Sequence, residues 1–598
     1  MRHERLFLCG RSTKPGDAEY PGNAKVVPLL LWGTKANITL KISDITRRMV
    51  AGLLELFTDL LEIATYVYCA DQATPRGGSG ARDIGARWRR NLHFRIQVRR
   101  PDFWSRPEVA ETLEEMLSFL SDDGYSFHFS ELTDPPPVDT YLEFSEAETG
   151  FVADEIIPFS GGLDSLAGAI HEVFVREKRV ALVSHRSAPK IAPKQKDLHG
   201  EIRSRCARDL KPLHIPVWIQ KHGWDASDDS QRSRSFLYAS LAASISAMFN
   251  KNRIRFYENG VTSLNLPIAE QLLGARATRT THPRSIAGFQ RLFSLMSNRE
   301  FLVETPFLWM TKADVVNSIK DAGLVDLVKY AVSCSHVFAM TKLATHCGCC
   351  SQCIDRRLAV FGAECAEHDP KEMYKVDVFT GERSDEGQEI VLAESYIRTM
   401  REMADITQMQ FFSRYGEVSR AVEALPGASD EVAEKIFQLY RRNGTQVEHA
   451  IKNAVTYYSD DLAKLSLPDR SLFRQLFGAK LPDMRTPKGT GGKGGKPVEG
   501  VTRKEKKENE VFQMQAALLK HHGFGTEAFS YEPATQKQLQ KLTRWNQTKV
   551  HRVMRTIFGD DPMNTYKQKC KTKAITGFLK KNDDGSYTVE AVHELTDQ

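Results

Sequence analysis

The chain has 598 residues, 41% of them hydrophobic, which is room for two to four domains with real cores. It holds no run of 18 or more apolar residues, and the opening MRHERLFLCGRSTKPGD is too short in apolar residues for a secretory signal, so a soluble, cytoplasmic protein with no membrane partner is expected. Eighty-two Lys and Arg against 76 Asp and Glu leave a net charge of +6, too mild to mark the whole chain as a nucleic-acid binder.

Residues 1–150 read as an α+β domain. VVPLLLW, NITLKI, LHFRIQV, YSFHFSEL and YLEF have strand character, and ITRRMVAGLLELFTDLLEIATYVYCA and PEVAETLEEMLSFL have helical apolar spacing. A Gly/Arg-rich stretch, DQATPRGGSGARDIGARWRR, and the loop TDPPPVDT interrupt the pattern. From about residue 153 short apolar runs (EIIPF, RVALVS, IPVWIQ, RIRFYENG) alternate with helices such as FLYASLAASISAMF. That alternation predicts an α/β domain over 153–375, with a central doubly wound parallel sheet and ligands at the carboxyl ends of its strands. Residues 376–485 read as a helical region, and TPKGTGGKGGKPVEG within 486–505 as a flexible Gly/Lys linker. Over 506–598, three helices (NEVFQMQAALLKHHGF, TQKQLQKLTRW, NQTKVHRVMRTIFG) and a hairpin turning at Asp583-Asp584-Gly585 suggest a winged helix. Lys541, Arg544, Trp545, Lys549, Arg552 and Arg555 crowd its second and third helices. This fits either nucleic acid in a groove or a solvated basic face on a protein-docking module.

Two clusters carry chemistry. The first is Ser160-Gly161-Gly162-Leu163-Asp164-Ser165, between a strand and a helix. Three small residues leave backbone N–H groups uncovered, and a helix start adds partial positive charge, so the turn suits a phosphate. Ser160 and Ser165 can donate hydroxyls, and Asp164 can hold Mg²⁺ against phosphate oxygens. An ordinary Gly-rich turn is the plainer reading, but six residues in the right place favour phosphate. This SGGxDS pattern resembles the PP-loop of ATP pyrophosphatases, of the adenine nucleotide alpha-hydrolase-like fold. The resemblance implies cleavage of ATP between the α- and β-phosphates, with pyrophosphate gripped by the loop.

The second cluster is cysteine. Five of the ten cysteines lie within twenty residues: Cys334, Cys347, Cys349, Cys350 and Cys353. Cys334, Cys347, Cys350 and Cys353 make a four-thiolate set for tetrahedral Zn²⁺, with Cys349 out of phase and Gly348 easing a knuckle turn. An iron–sulfur cluster or a redox pair uses similar spacing. A closed four-thiolate site is usually structural.

TPFLWMTKADVVNSIKDAGL, then SCS, then CGCCSQCIDRR, resembles the 7-cyano-7-deazaguanine synthase (QueC) family over roughly residues 153–365. Thr311-Lys312 and the cysteines match in order and spacing, and SRSFLYASLAAS matches a helix start that places Arg234. The resemblance implies ATP- and Mg²⁺-dependent activation of a 7-carboxy-7-deazaguanine-like carboxylate, releasing AMP and pyrophosphate, then amide or nitrile formation: a C–N ligase. Asp164, Lys312 and Arg234 are the expected catalytic residues, and Ser160 to Ser165 the nucleotide loop. SHRSAPKIAPKQ (184–195) and VTSLNLPIAEQLL (261–273) depart from the family, and in TRTTHPRS His282 and Arg284 either hold a carboxylate or deazapurine or are loop residues. The extra domains look like the larger QatC-type synthase-like proteins of bacterial antiphage defence, which implies a macromolecular acceptor such as a protein amine. The competing readings are a nucleotide-sensing module tethered to a nucleic-acid or protein partner and, more narrowly, thiolation of transfer RNA.

Overall fold

The apolar runs of the first 131 residues build one sheet and part of a second. Strand β1 (His3–Cys9) lies between β2 (Lys25–Leu29) and the later β4, while β3 (Ile38–Leu40) leaves for the central sheet. Helix α1 (Glu55–Ala73) precedes β4 (Arg90–Val98), and α2 (Pro107–Ser121) separates β4 from β5 (Gly124–Glu131). The sheet order is β2-β1-β4-β5 and every pair is parallel. This corrects the α+β expectation: helical crossovers α1 and α2 return the chain to the same end, which is what parallel pairing needs. β1 was not legible because its apolar stretch is short. Alternate residues of β4 are buried, and Phe7, Phe94 and Phe127 stack across three strands with ring centroids 5.1 Å apart. α1 is buried on nearly every side and shares one core with β4, β8 and the helix that starts at Arg234.

The computed structural model describes residues 3–10, 22, 24–33, 35–41, 54–76, 89–133, 151–186, 190–222, 232–266, 279–336, 340–341, 343–384, 389–463 and 467–477, with short pieces between 535 and 589. They fall into two units, Met1–Pro482 and Asp483–Gln598. The YLEF segment, the 71–90 stretch beyond residue 76 up to 88, the 486–505 linker and the first expected helix of the last region lie outside the described residues.

In the first unit β6 (Glu155–Pro158) leads to α3 (Leu163–Ile170), β7 (Val180–Arg186), α4 (Ile191–Arg205) and β8 (Leu213–Lys221). β6, β7 and β8 are parallel, nearly continuous in apolar residues and buried on both faces, as covered parallel strands must be. β3 closes the far edge antiparallel, Leu40 opposite Ile219. Helix α5 (Arg234–Met248) then leads to β9 (Arg253–Arg255), and α6 (Pro283–Ser297) to β10 (Leu302–Glu304). The parallel β9–β10 pair flanks β6, tied to it by Arg253–Glu155 at 2.6 Å and Arg255–Glu155 at 3.2 Å. The chain therefore runs to one side of β6 through β7 and to the other through β9. That reversal falls at the carboxyl ends of β6 and β9, the place where such sheets bind ligands.

Helices α7 (Lys312–Asp321), α8 (Ser351–Gly362), α9 (Glu389–Asp405) and α10 (Ser429–Tyr457) complete the unit. α10 buries one helical face: Val447 and Ile451 against α8 and α9, and Val432, Ile436, Leu439 and Tyr440 in a second cluster with Val261, Leu264, Met403 and Phe411. In the second unit, α11 (Gln536–Thr543), α12 (Gln547–Phe558) and the antiparallel pair β11 (Leu579–Lys581) and β12 (Tyr587–Val589) are described. Arg552 and Arg555 are exposed there. Among the described residues no helix is long and apolar enough to cross a membrane.

Candidate functional site

β6 ends at Pro158 and the chain turns through Ser160, Gly161 and Gly162 into α3. Gly161 has φ of +86°, a left-handed conformation strained for any residue with a Cβ, and a Cβ there would come within 3.2 Å of Gln195 Cγ. The turn is tied by serines. Gly161 N–H donates to Ser165 Oγ (3.1 Å), Gly162 N–H to Ser160 Oγ (3.3 Å) and Leu163 N–H to Ser333 Oγ (3.4 Å). The loop amides are thus not uncovered, as the sequence suggested; hydroxyl oxygens accept from them. The Gly162 and Leu163 contacts are long, and a serine side chain that turns away leaves its amide to an anion without moving the backbone. Gly162, the cap of α3, adds no side-chain cap, which leaves the first turn favourable to negative charge. Gln195, 1% exposed, donates from Nε2 to the Ser160 carbonyl (3.1 Å), while its Oε1 is buried without a partner beside the loop. A buried acceptor left open here fits a ligand that brings a donor.

Asp164, in the first turn of α3, meets Lys312, the first residue of α7. Lys312 Nζ lies 2.5 Å from Asp164 Oδ2 and 3.6 Å from Asp355 Oδ2. Asn259, one residue before α-helical Gly260–Leu264, donates from Nδ2 to Asp164 Oδ1 at 3.0 Å. Burial works against the charge on Lys312, but Asp164 and Asp355 outweigh it and hold the ammonium above lysine's ordinary range. Burial pushes the Glu258 carboxyl up, opposed by the Thr281 and Thr280 hydroxyls that donate to it. α7 begins at Lys312 because Thr311 caps it reciprocally with Asp314, at 3.1 Å and 3.0 Å. β6 and β9 thus deliver Asp164, Glu258 and Asn259 to this place, and α7 delivers Lys312.

The four cysteines converge as well. The Sγ atoms of Cys334, Cys347, Cys350 and Cys353 all lie within 4.8 Å of one another, with Cys350–Cys353 at 3.4 Å and Cys347–Cys353 at 3.9 Å. Sulfurs about 2.3 Å from a tetrahedral zinc stand about 3.8 Å apart, so the donor set fits zinc. Cys347 Sγ accepts from the Cys349 and Cys350 amides at 3.4 Å and 3.3 Å, the knuckle turn, and Gly348 takes φ of +83° with its α-carbon packed against the Val376 carbonyl. Cys349 is outside the four-sulfur set and burial pushes its thiol up to about 12. The cluster borders the loop: Cys334 follows Ser333, whose hydroxyl meets Leu163, and Val332 N–H donates to the Gly161 carbonyl at 2.8 Å.

The other sequence candidates have partners of their own. Arg234, the first residue of α5, donates from Nη2 to Tyr238 OH (3.3 Å) and lies over that ring at 5.3 Å. Burial opposes its charge, and the groups that favour it are Tyr238 and Tyr68, neither a carboxylate; its Nε is buried without a partner. A guanidinium so placed fits an anionic ligand. His282 caps α6, its Nδ1 accepting from Arg284 N–H at 3.1 Å, and packs on Phe119. Burial, then Arg279, Arg420 and Arg284, push it down to about 3, so it is a neutral cap. Arg284 is exposed and lies over Phe119 at 5.0 Å.

Residues 281–363 match the family described as queuosine biosynthesis protein QueC. This stretch is similar to the QueC family, over 83 of the chain's 598 residues. It holds Lys312 and all four cysteines, while the Ser160–Ser165 loop lies before it. No curated protein matches the chain. Within the matched segment Asp355 and Ser333, and outside it Glu258, Asn259, Gln195 and Tyr396, whose OH donates to Asp355 Oδ1 at 2.8 Å, join the site without having been singled out from the sequence. Asn259 alone left a signal, as Asn-Gly at the end of the apolar run RIRFYENG.

Proposed function

We propose that the site at the carboxyl ends of β6 and β9 binds ATP and cleaves it between the α- and β-phosphates, activating a 7-carboxy-7-deazaguanine-like carboxylate as its adenylate for amide or nitrile formation. The observation that carries this reading is the Lys312–Asp164 pair, which joins the matched segment to the SGGLDS loop at the turning point of the sheet.

A carboxylate is a poor electrophile, and AMP is a good leaving group. The protein's work is therefore positioning and charge neutralisation. The amides of Gly161, Gly162 and Leu163 exchange their serine acceptors for phosphate oxygens. Lys312, already charged, turns one N–H from Asp164 to a phosphate. Arg234 steadies a second anionic group, and the open Gln195 Oε1 accepts from a nucleotide hydroxyl or amine. Asp164 supplies the one carboxylate that Mg²⁺ needs beside phosphates; when bound, the ion neutralises their charge. The four cysteines hold zinc in a structural role, which fixes Val332 and Ser333 against the loop.

The long segments on either side of the QueC match support a macromolecular amine as acceptor, within bacterial antiphage defence, rather than free ammonia alone. The test is AMP and pyrophosphate production from ATP with 7-carboxy-7-deazaguanine, with and without ammonium. Carboxylate-dependent AMP that is lost in Asp164→Ala supports the enzyme. ATP binding with no AMP from any carboxylate favours a nucleotide-sensing module.

A further inference from the structure

We propose that the helices beyond the QueC match complete the site, with Asp355, held by Tyr396, acting as a positioning residue that keeps Lys312 in place when Asp164 turns to the nucleotide. The inference rests on the function proposed above.

Lys312 is 2% exposed. A buried ammonium with one anionic partner follows that partner, because leaving it unpaired is costly. Lys312 has two. Asp164 Oδ2 takes the short contact at 2.5 Å and Asp355 Oδ2 stands behind it at 3.6 Å. The other oxygen of Asp355 accepts from Tyr396 OH at 2.8 Å, which turns Oδ2 towards the ammonium. Tyr396 lies on α9, 4% exposed, in the same core as Ile397, Met400 and Phe361, so the hydroxyl has little freedom. The backbone under Lys312 is held separately from α10. Gln446 Oε1 accepts from Thr311 Oγ1 at 2.5 Å and Gln446 Nε2 donates to Asp314 Oδ1 at 2.7 Å. Arg442 reaches Asp314 Oδ2 (3.1 Å) and the Trp309 carbonyl (2.6 Å). Residues 389–457, all past the end of the match at 363, therefore fix both the ammonium of Lys312 and the start of its helix.

Two readouts test this on the full chain. The first is labelling of Lys312 by an amine-reactive reagent, read by mass spectrometry with and without ATP. The second is AMP formation resolved into kcat and KM. Tyr396→Phe removes one hydroxyl from a packed ring and keeps the fold; Asp355→Asn removes the charge, and Asp355→Glu is the conservative rescue. The expected result is severalfold faster Lys312 labelling in Tyr396→Phe and Asp355→Asn, with kcat down about tenfold, KM for ATP within about twofold, and partial recovery in Asp355→Glu. Unchanged labelling in both variants overturns the proposal, as does a raised KM with kcat intact. If the wild-type chain forms no AMP, the function reading fails, and the labelling alone then decides whether Asp355 positions Lys312.

Discussion

Replacing Lys312 by Met removes the cation that faces both Asp164 and Asp355. Its side chain is 3% exposed and those of the two carboxylates 15% and 14%, so little water is at hand to replace it. Removing one partner of a buried pair costs roughly 3–5 kcal/mol, and the partial exposure of the carboxylates puts this site near the lower end, about 3 kcal/mol. Asp164→Asn is milder, about 2 kcal/mol, because Asp355 still faces the ammonium. In the double variant the uncompensated Asp164 charge is gone, so the single effects should exceed their joint effect by about 1–3 kcal/mol. Urea unfolding at pH 7.5, followed by circular dichroism, measures all four corners. The ammonium is held above its ordinary range, so its contribution is complete below lysine's unfolded value and fades only as pH rises through the folded one; pH 7.5 sees it whole. Single effects that add to the double within about 0.5 kcal/mol would refute the coupling.

Three further outcomes are expected. Metal analysis should find zinc bound to the wild type and to Cys349→Ser but lost from Cys350→Ser, with weaker ATP binding in the latter because Ser333 loses its anchor; zinc loss in Cys349→Ser contradicts the ligand set. Gly348→Ala puts a Cβ 1.6 Å from the Val376 carbonyl at φ of +83°, so it should cost roughly 1–3 kcal/mol in urea unfolding and loosen zinc; a neutral effect contradicts the knuckle geometry. His282 is pushed down to about 3 by burial and by Arg279, Arg420 and Arg284, so its stabilising neutral form is present above its unfolded value near 6.5 and lost as pH falls from there towards 3. His282→Asn should keep the cap and AMP formation while flattening that acid slope, and lost activity would instead place His282 in the substrate site.

The elements that carry the site were legible where local sequence decides local structure. A strand, a glycine turn and a helix need only neighbouring residues, so Ser160–Ser165 and the cysteine spacing could be read directly. What escaped depends on residues far apart in the chain. Asp355 meets Lys312 only because α7 and α8 pack side by side, and Tyr396 reaches Asp355 from a third helix. Gln195 and Ser333 approach the glycine turn from α4 and from the segment before Cys334. No periodicity reports such pairings. The same holds for β3, a three-residue strand from the N-terminal part that closes the central sheet beside β8. Arg234 was legible by position, but its seat among Tyr68 and Tyr238 depends on α1 packing against α5.

The most direct measurement of the account is the nucleotide product. Purified full-length protein is incubated with ATP, Mg²⁺ and 7-carboxy-7-deazaguanine, beside Asp164→Ala, and the nucleotides are separated by chromatography. The account predicts AMP and pyrophosphate that require both the carboxylate and Asp164. ATP that stays intact with every carboxylate offered, in a zinc-loaded and folded protein, would contradict it.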